Sequence, residues 1–233
     1  VKSLFYTEYD TGGTKEIIKI LANNYRNSGE VTEFANRLLK IKNLRFGSID
    51  RESNYLITTK QTETGVVELL NDKATVIKEL DSKTSTSTKF AVIVMTEKEK
   101  ERAKQFFKTP LIFSIREAKG LEYENIILLN LVSGNEAEFE EIIKEVNEGD
   151  INKEINYSRG KEKSDKALEV YKFYINSLYV AITRSIKGLY IIERNRNHRI
   201  FKLLCLKSQK EEIQIKEHKS SLDEWQKEAR KLE

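Results

Sequence analysis

Phe90-Ala91-Val92-Ile93-Val94-Met95, followed at once by Thr96-Glu97-Lys98-Glu99, is the stretch that decides the fold. An unbroken apolar run has no polar face to turn toward water, so a strand there must be covered on both sides, the habit of a parallel sheet. Thr96 with Glu99 three residues on spells a capping box, and the spacing predicts a helix reaching Phe107 and stopping before Pro110, the only proline. A buried strand running straight into a helix is the repeating unit of an α/β layer fold.

Working outward, residues 55–59, 65–70, 111–115, 125–130 and 188–193 read as further strands. Helices alternate with them. Val31, Phe34, Ala35, Leu38 and Leu39 form a core-facing stripe on a helix starting near Asn27 or Ser28. Ile17, Ile18 and Leu21 mark an earlier helix after the Gly12-Gly13 turn, and residues 73–80 a later one. Phe139, Ile142, Ile143 and Val146 define another, and Leu168, Tyr171, Ile175, Leu178, Tyr179 and Ile182 a long one opening at Ser164. Residues 81–89 are polar and read as a surface loop, and 150–163 are polar and expected to be mobile. Ser221-Leu222-Asp223-Glu224 is a second capping box, ahead of Trp225, Ala229 and Leu232 at helical spacing. Two units are expected: a main α/β domain over 1–198 and a helical extension over 199–233.

The chain has 233 residues, 39% hydrophobic and 33% charged, enough for a sizeable core and far from a disordered composition. No apolar stretch is long enough to span a bilayer, so no membrane partner is expected. Forty-one basic against thirty-seven acidic residues give a net charge of +4, which permits phosphate contacts without predicting them. A lone cysteine, Cys205, excludes an internal disulfide and favours a reducing, cytoplasmic setting. With only His198 and His218 beside it, no four-ligand zinc site can form, and no metal site is expected. The chain opens at Val1 without a leader, which reads as a piece of a longer protein.

Several features have plain structural readings. Gly12-Gly13-Thr14-Lys15 lacks the spacing of a phosphate loop and reads as a turn and cap. Cys205, among Phe201, Leu203, Leu204 and Leu206, reads as a buried small hydrophobe. Three segments are harder to explain by structure alone. Strand 111–115 runs into Arg116-Glu117-Ala118-Lys119-Gly120-Leu121-Glu122-Tyr123, setting cations, carboxylates and a glycine at the carboxyl end of a buried strand, where open α/β sheets bind ligands. Thr183-Arg184 ends an apolar helix just before a strand, and Asn24-Tyr25-Arg26 sits beside a helix start.

Taken together and in this order, these segments resemble the second RecA-like domain of superfamily 1 helicases of the UvrD, Rep and PcrA type. Asn23-Asn24-Tyr25-Arg26-Asn27-Ser28 with Phe34-Ala35-Asn36 is similar to motif IV, Ser114 through Tyr123 to motif V, and Leu178-Tyr179-Val180-Ala181-Ile182-Thr183-Arg184 to motif VI. The resemblance covers residues 20–193 and implies a three-layer RecA-like α/β domain, of the phosphate-loop NTPase fold, with a mostly parallel sheet. It also implies that Arg184 is an arginine finger for a γ-phosphate held on a partner domain, the catalytic residue here. Glu122 aligns with an acid that bonds the nucleotide ribose, with Gly120 allowing close backbone approach. Ser114, Arg116 and Lys119, with Asn24, fall among the contacts to single-stranded DNA. Arg26 aligns with a motif IV arginine at the interdomain cleft, facing either nucleotide or DNA.

Arg116 stands where the family has histidine and Ser114 where it has threonine, both keeping a donor. Lys119-Gly120-Leu121-Glu122 is the version of motif V found in the DNA-directed branch. No Walker A loop or Walker B acid pair occurs in the chain, so ATP and Mg2+ are expected to be held mainly by an N-terminal RecA-like domain of the same parent, and the chain is expected to be inactive alone. The competing expectation is a non-catalytic nucleic-acid-binding or scaffold module of a helicase-like protein.

Overall fold

A computed structural model describes residues 23–47, 56–153, 167–206 and 215–232. The expected helix on Ile17, Ile18 and Leu21 and its Gly12-Gly13 turn lie outside the described residues, as do Tyr55, most of the polar stretch 150–163 and the Ser164 helix start.

In chain order the elements are β1 (Asn23–Asn24), α1 (Gly29–Phe46), β2 (Thr58–Thr59), β3 (Val66–Asn71), α2 (Ala74–Thr84), β4 (Phe90–Val94), α3 (Glu97–Ala103) and β5 (Ile112–Ser114). There follow β6 (Tyr123–Leu129), α4 (Glu136–Ile143), α5 (Glu148–Ile151), α6 (Ala167–Ile182), β7 (Ser185–Glu193), α7 (Arg199–Leu203) and α8 (Leu222–Leu232). The main sheet has the order β3-β7-β6-β4-β5, and every neighbouring pair in it is parallel. β1 and β2 form a separate short parallel pair.

Both faces of the sheet are buried, as the run 90–95 requires. Ala91 and Ile93 of β4, Ile126 and Leu128 of β6, and Leu189 and Ile191 of β7 join one cluster with residues of α1, α4, α6 and α7. Their sequence neighbours Val92, Ile127, Tyr190 and Ile192 join a second cluster with Ile77 and Leu80 of α2 and Ala103 of α3. Alternation along a strand thus sends successive apolar side chains into two helical layers, giving the three-layer α/β architecture with a parallel centre that is consistent with a RecA-like fold. Each large side chain buried this way is worth roughly 1.5–3 kcal/mol over leaving it in water.

Helix starts follow the sequence. Ser28 caps α1, accepting from Val31 N at 3.4 Å, and Thr96 and Glu99 form the full capping box of α3. The helix ends with Ala103, short of Phe107, and continues as turns.

Residues 81–89 are a correction to the surface-loop reading. α2 runs on through Thr84, and Asp81, Thr84 and Ser87 are buried. The Asp81 carboxylate accepts from Lys108 N at 2.7 Å. Ser220 N donates to Thr86 O at 3.0 Å, and the Ser87 hydroxyl meets His218 Nδ1 at 2.9 Å, so the chain ahead of α8 lies along this turn. Polar composition marked it as solvated, but a polar segment can be covered when its groups find partners. Cys205 departs from expectation as well: it is exposed, with φ of 58°, because it closes the turn after α7. Ile200, Phe201, Leu203 and Leu204 around it are buried in the first cluster.

α8 is less embedded than its stripe predicts. None of its residues is buried, and Leu222 and Leu232 are exposed. Trp225 alone packs against the core cluster. No helix among the described residues is long and apolar enough to cross a membrane.

Candidate functional site

The start of each central strand carries one residue singled out from the sequence. Glu122 immediately precedes β6 and Arg184 immediately precedes β7, and Tyr123 pairs with Ser185, so the register sets the two side by side at the amino edge of the sheet. Arg26 reaches the same place from the segment ahead of α1. Its Nε lies 2.9 Å from Glu122 Oε1, with both side chains partly exposed. Three segments far apart in the chain therefore meet at one sheet edge.

The Arg184 side chain is half-buried. Its Nε donates to Val180 O at 3.2 Å, Nη1 to Leu121 O at 3.3 Å and Nη2 to the Thr183 hydroxyl at 3.4 Å. A guanidinium has five N–H groups, so two remain for something outside the chain. Burial presses the Arg184 pKa downward, the Arg26 charge adds to it, and Glu122 and Tyr179 oppose them. Two guanidiniums beside a single carboxylate leave local positive charge uncompensated, and the spare donors fit an anion with several acceptor oxygens.

Gly120 has φ of +93°, the left-handed region that disfavours side chains. A Cβ there would meet nothing within 4 Å, so the backbone angle rather than crowding inside the chain calls for glycine.

Residues 114–123 are divided between the two edges. Ser114 closes β5 at the level of Val94, whereas Asn125 of β6 sits at the level of Phe90, so the eight residues between Ser114 and Tyr123 cross from the carboxyl edge to the amino edge. Ser114 is buried, its hydroxyl donates to Glu97, and its N–H donates to Glu117 Oε2 at 2.9 Å. Burial pushes the Glu117 carboxyl up, but hydrogen bonds from Lys100 and Ser114 outweigh it and hold the group below the usual carboxylate range. Lys100 Nζ lies 2.6 Å from Glu117. Arg116 and Lys119 are exposed, and neither has an ion-pair partner among the described residues.

Asn24 is also engaged inside the chain. Its Oδ1 accepts from Arg26 N at 2.9 Å and Asn27 N at 3.2 Å, and its Nδ2 donates to Asn27 Oδ1 at 2.8 Å and the Thr32 hydroxyl at 3.1 Å. This is a side chain mimicking a backbone turn, and it shapes the loop that presents Arg26.

Two contributions escaped the sequence reading. Asn27, quoted there only as part of a motif-like segment and a helix start, is buried and bonds the backbone carbonyls of Thr183 and Ser185 on either side of Arg184. The far helix α8 touches the site as well: Tyr123 donates to Glu228 Oε1 at 2.5 Å, and Lys231 donates to Glu122 O at 2.9 Å while its Nζ sits 4.0 Å from the Tyr123 ring centroid. Burial, followed by Glu228, pushes the Tyr123 hydroxyl well above the ordinary tyrosine range. No pattern links residues 109 apart in a chain, so only a fold could reveal the Lys231 contact.

No family model matches the chain, and no curated protein matches it. Among solved structures, the C-terminal domain of a possible DNA helicase from Lactobacillus plantarum WCFS1 is similar at 15% sequence identity, over 73% of this chain and 87% of that chain, with a TM-score of 0.38. At these values the likeness adds nothing to the reading of the site.

Proposed function

We propose that the chain is the second motor domain of an ATP-dependent DNA helicase or translocase, of the superfamily 1 type its motifs resemble. The observation that supports this most is the convergence of Arg26, Glu122 and Arg184, one from each of three separate motif-like segments, at a single sheet edge. In this reading the edge faces a triphosphate carried by an N-terminal RecA-like domain of the same parent. Arg184 supplies charge to the transferring phosphoryl group through its spare N–H donors, Glu122 accepts from the ribose hydroxyl, and Gly120 lets the backbone come close. Arg26 is assigned to the nucleotide side, since it shares the carboxylate of Glu122. Bound Mg2+ would supply charge neutralisation at the phosphates. No three His, Cys, Asp or Glu side chains gather as a metal set among the described residues, so none is assigned to it.

Single-stranded DNA is the second partner proposed. Arg116 and Lys119, exposed and without ion pairs, are the residues assigned to its phosphates. Ser114 and Asn24, whose side chains are bonded within the chain, act there by holding the segments that carry the cations. A main domain over 1–198 with an extension over 199–233, and a cytoplasmic setting, complete the proposal.

The test is Arg184→Lys in the full-length protein. Lysine keeps the charge but not the planar fork, so DNA-stimulated ATP hydrolysis is expected to fall at least about a hundredfold. The same change is expected to move thermal stability by only about 1 kcal/mol, the value of a helix-end cation. Near-normal turnover would remove the finger assignment and leave the scaffold reading.

A further inference from the structure

Arg184 lies in a two-residue hinge between α6, which ends at Ile182, and β7, which begins at Ser185. A long side chain at a hinge delivers its guanidinium only as accurately as its backbone is held. Both carbonyls of the hinge and the first carbonyl of β7 are bonded to neighbours. Tyr123 N donates to Arg184 O at 3.1 Å, and the Asn27 amide donates both of its hydrogens, one to Thr183 O at 3.2 Å and one to Ser185 O. Asn27 thus brackets Arg184 from either side, and the next donor, Ser28 N, continues the contact onto Ile186 O at 2.8 Å.

The orientation of the Asn27 amide follows from its partners. Oδ1 receives the Asn24 amide at 2.8 Å, and a flipped amide would set an oxygen against two carbonyl oxygens. Asn27 is buried at 5% exposure, so water cannot substitute for the bracket without the segment opening. Its carbonyl accepts from the Thr59 hydroxyl at 3.0 Å, which ties the bracket to β2.

We infer that Asn27 is the positioning residue for Arg184, setting the backbone of the hinge so that the guanidinium meets its anion. The inference rests on the motor reading above and adds to it a residue outside the arginine–carboxylate cluster.

Asn27→Asp keeps the shape and the acceptor toward Asn24 while replacing both donors with acceptors that face carbonyls. Asn27→Ala removes the bracket altogether. Both are compared in the full-length protein with Arg184→Lys and with the Asn27→Ala/Arg184→Lys pair, measuring kcat and KM for ATP, single-stranded DNA affinity and thermal midpoint. The expected result is a fall of about tenfold or more in kcat for each Asn27 variant, with KM and DNA affinity within about twofold of wild type. In the Arg184→Lys background, Asn27→Ala is expected to cost little further, because the group it positions is already gone. A lowered midpoint with normal kcat, additive losses in the double variant, or failure of both variants to fold would overturn the inference while leaving the motor reading standing. Normal turnover in Arg184→Lys would instead overturn the motor reading, and the positioning role with it.

Discussion

At the carboxyl edge of the sheet, Glu193 is fully buried and both of its oxygens are taken, one by Val132 N at 2.9 Å and the other by Ser133 N at 2.7 Å. Arg194 beside it donates to Ser133 O at 2.9 Å, and its N–H bonds Asn130, whose φ of 51° closes the turn after β6. At the amino edge, Arg26 pairs with the one carboxylate of Glu122, and Arg184 beside them bonds only its own neighbouring chain and keeps donors free. Glu193 and Arg194 at the first edge are bonded within the chain, whereas Arg26, Glu122 and Arg184 at the second are half-satisfied and partly exposed. On the motor proposal, the spare donors of the amino edge are kept for a bound anion.

That contrast makes separable predictions. Arg184→Lys is expected to remove turnover and spare stability, and Glu193→Gln to do the reverse. Burial raises the Glu193 carboxyl from its ordinary 4.5 to about 7, against the opposing pull of the Ser133 and Val132 donors. A carboxyl with a raised native pKa binds more protons folded than unfolded between those two values. Stability therefore falls as pH rises from about 4.5 to about 7, by roughly 3 kcal/mol, and stays low above it. Urea unfolding of the 233-residue chain at several pH values is expected to show this slope in wild type and lose it in Glu193→Gln. The glutamine also places an amide against a backbone N–H, a cost that does not vary with pH, so the slope is the readout. An unchanged slope would mean that Glu193 is ionised in the fold.

A smaller effect divides residues 114–123 themselves. Ser114→Ala removes a hydrogen bond to a carboxylate at the carboxyl edge and is expected to cost about 1.5–3 kcal/mol of stability. DNA affinity is expected to change little. Arg116→Ala is expected to do the opposite, weakening single-stranded DNA binding and reducing its salt dependence by about one counterion while leaving the thermal midpoint in place. Parallel losses of DNA affinity in the two variants would join what the structure separates.

The layers were legible in the sequence because burial on both faces leaves a direct mark: the run 90–95, the α1 stripe and the Thr96 and Ser221 caps all stand as read. The residues of the amino edge were legible as types, through a motif resemblance, but their placement was not. A strand end and a strand start adjoin in motif V, and only the pairing of Tyr123 with Ser185 shows that Ser114 and Glu122 serve different edges. Asn27 was invisible because a buried amide and a helix-capping amide look alike in a sequence. Residues 81–89 misled for the converse reason, since composition reports the polarity of a segment and not whether its polar groups find partners.

The smallest expected effect tests whether α8 belongs to the amino edge at all. Its hydrophobic residues give it little hold: Leu222 and Leu232 face solvent, and only Trp225 packs on the core. What remains is polar, the Tyr123 hydroxyl on Glu228 and the Lys231 ammonium on Glu122 O and the Tyr123 ring. Tyr123→Phe keeps the ring, and with it the cation–π contact and the stack on Phe113 at 5.8 Å, and deletes only the hydroxyl. Glu228 retains Lys231 at 3.3 Å, so the carboxylate is not stranded and the global cost is expected to be about 1 kcal/mol or less. Hydrogen exchange is the sharper measure. If the hydroxyl is the anchor, amides of residues 222–232 are expected to exchange faster in Tyr123→Phe while those of β7 keep their protection, because a helix with one apolar contact opens without the sheet. If Trp225 and the ring suffice, exchange in α8 stays as in wild type, and Lys231→Ala then becomes the change that releases the helix and frees the carbonyl of Glu122.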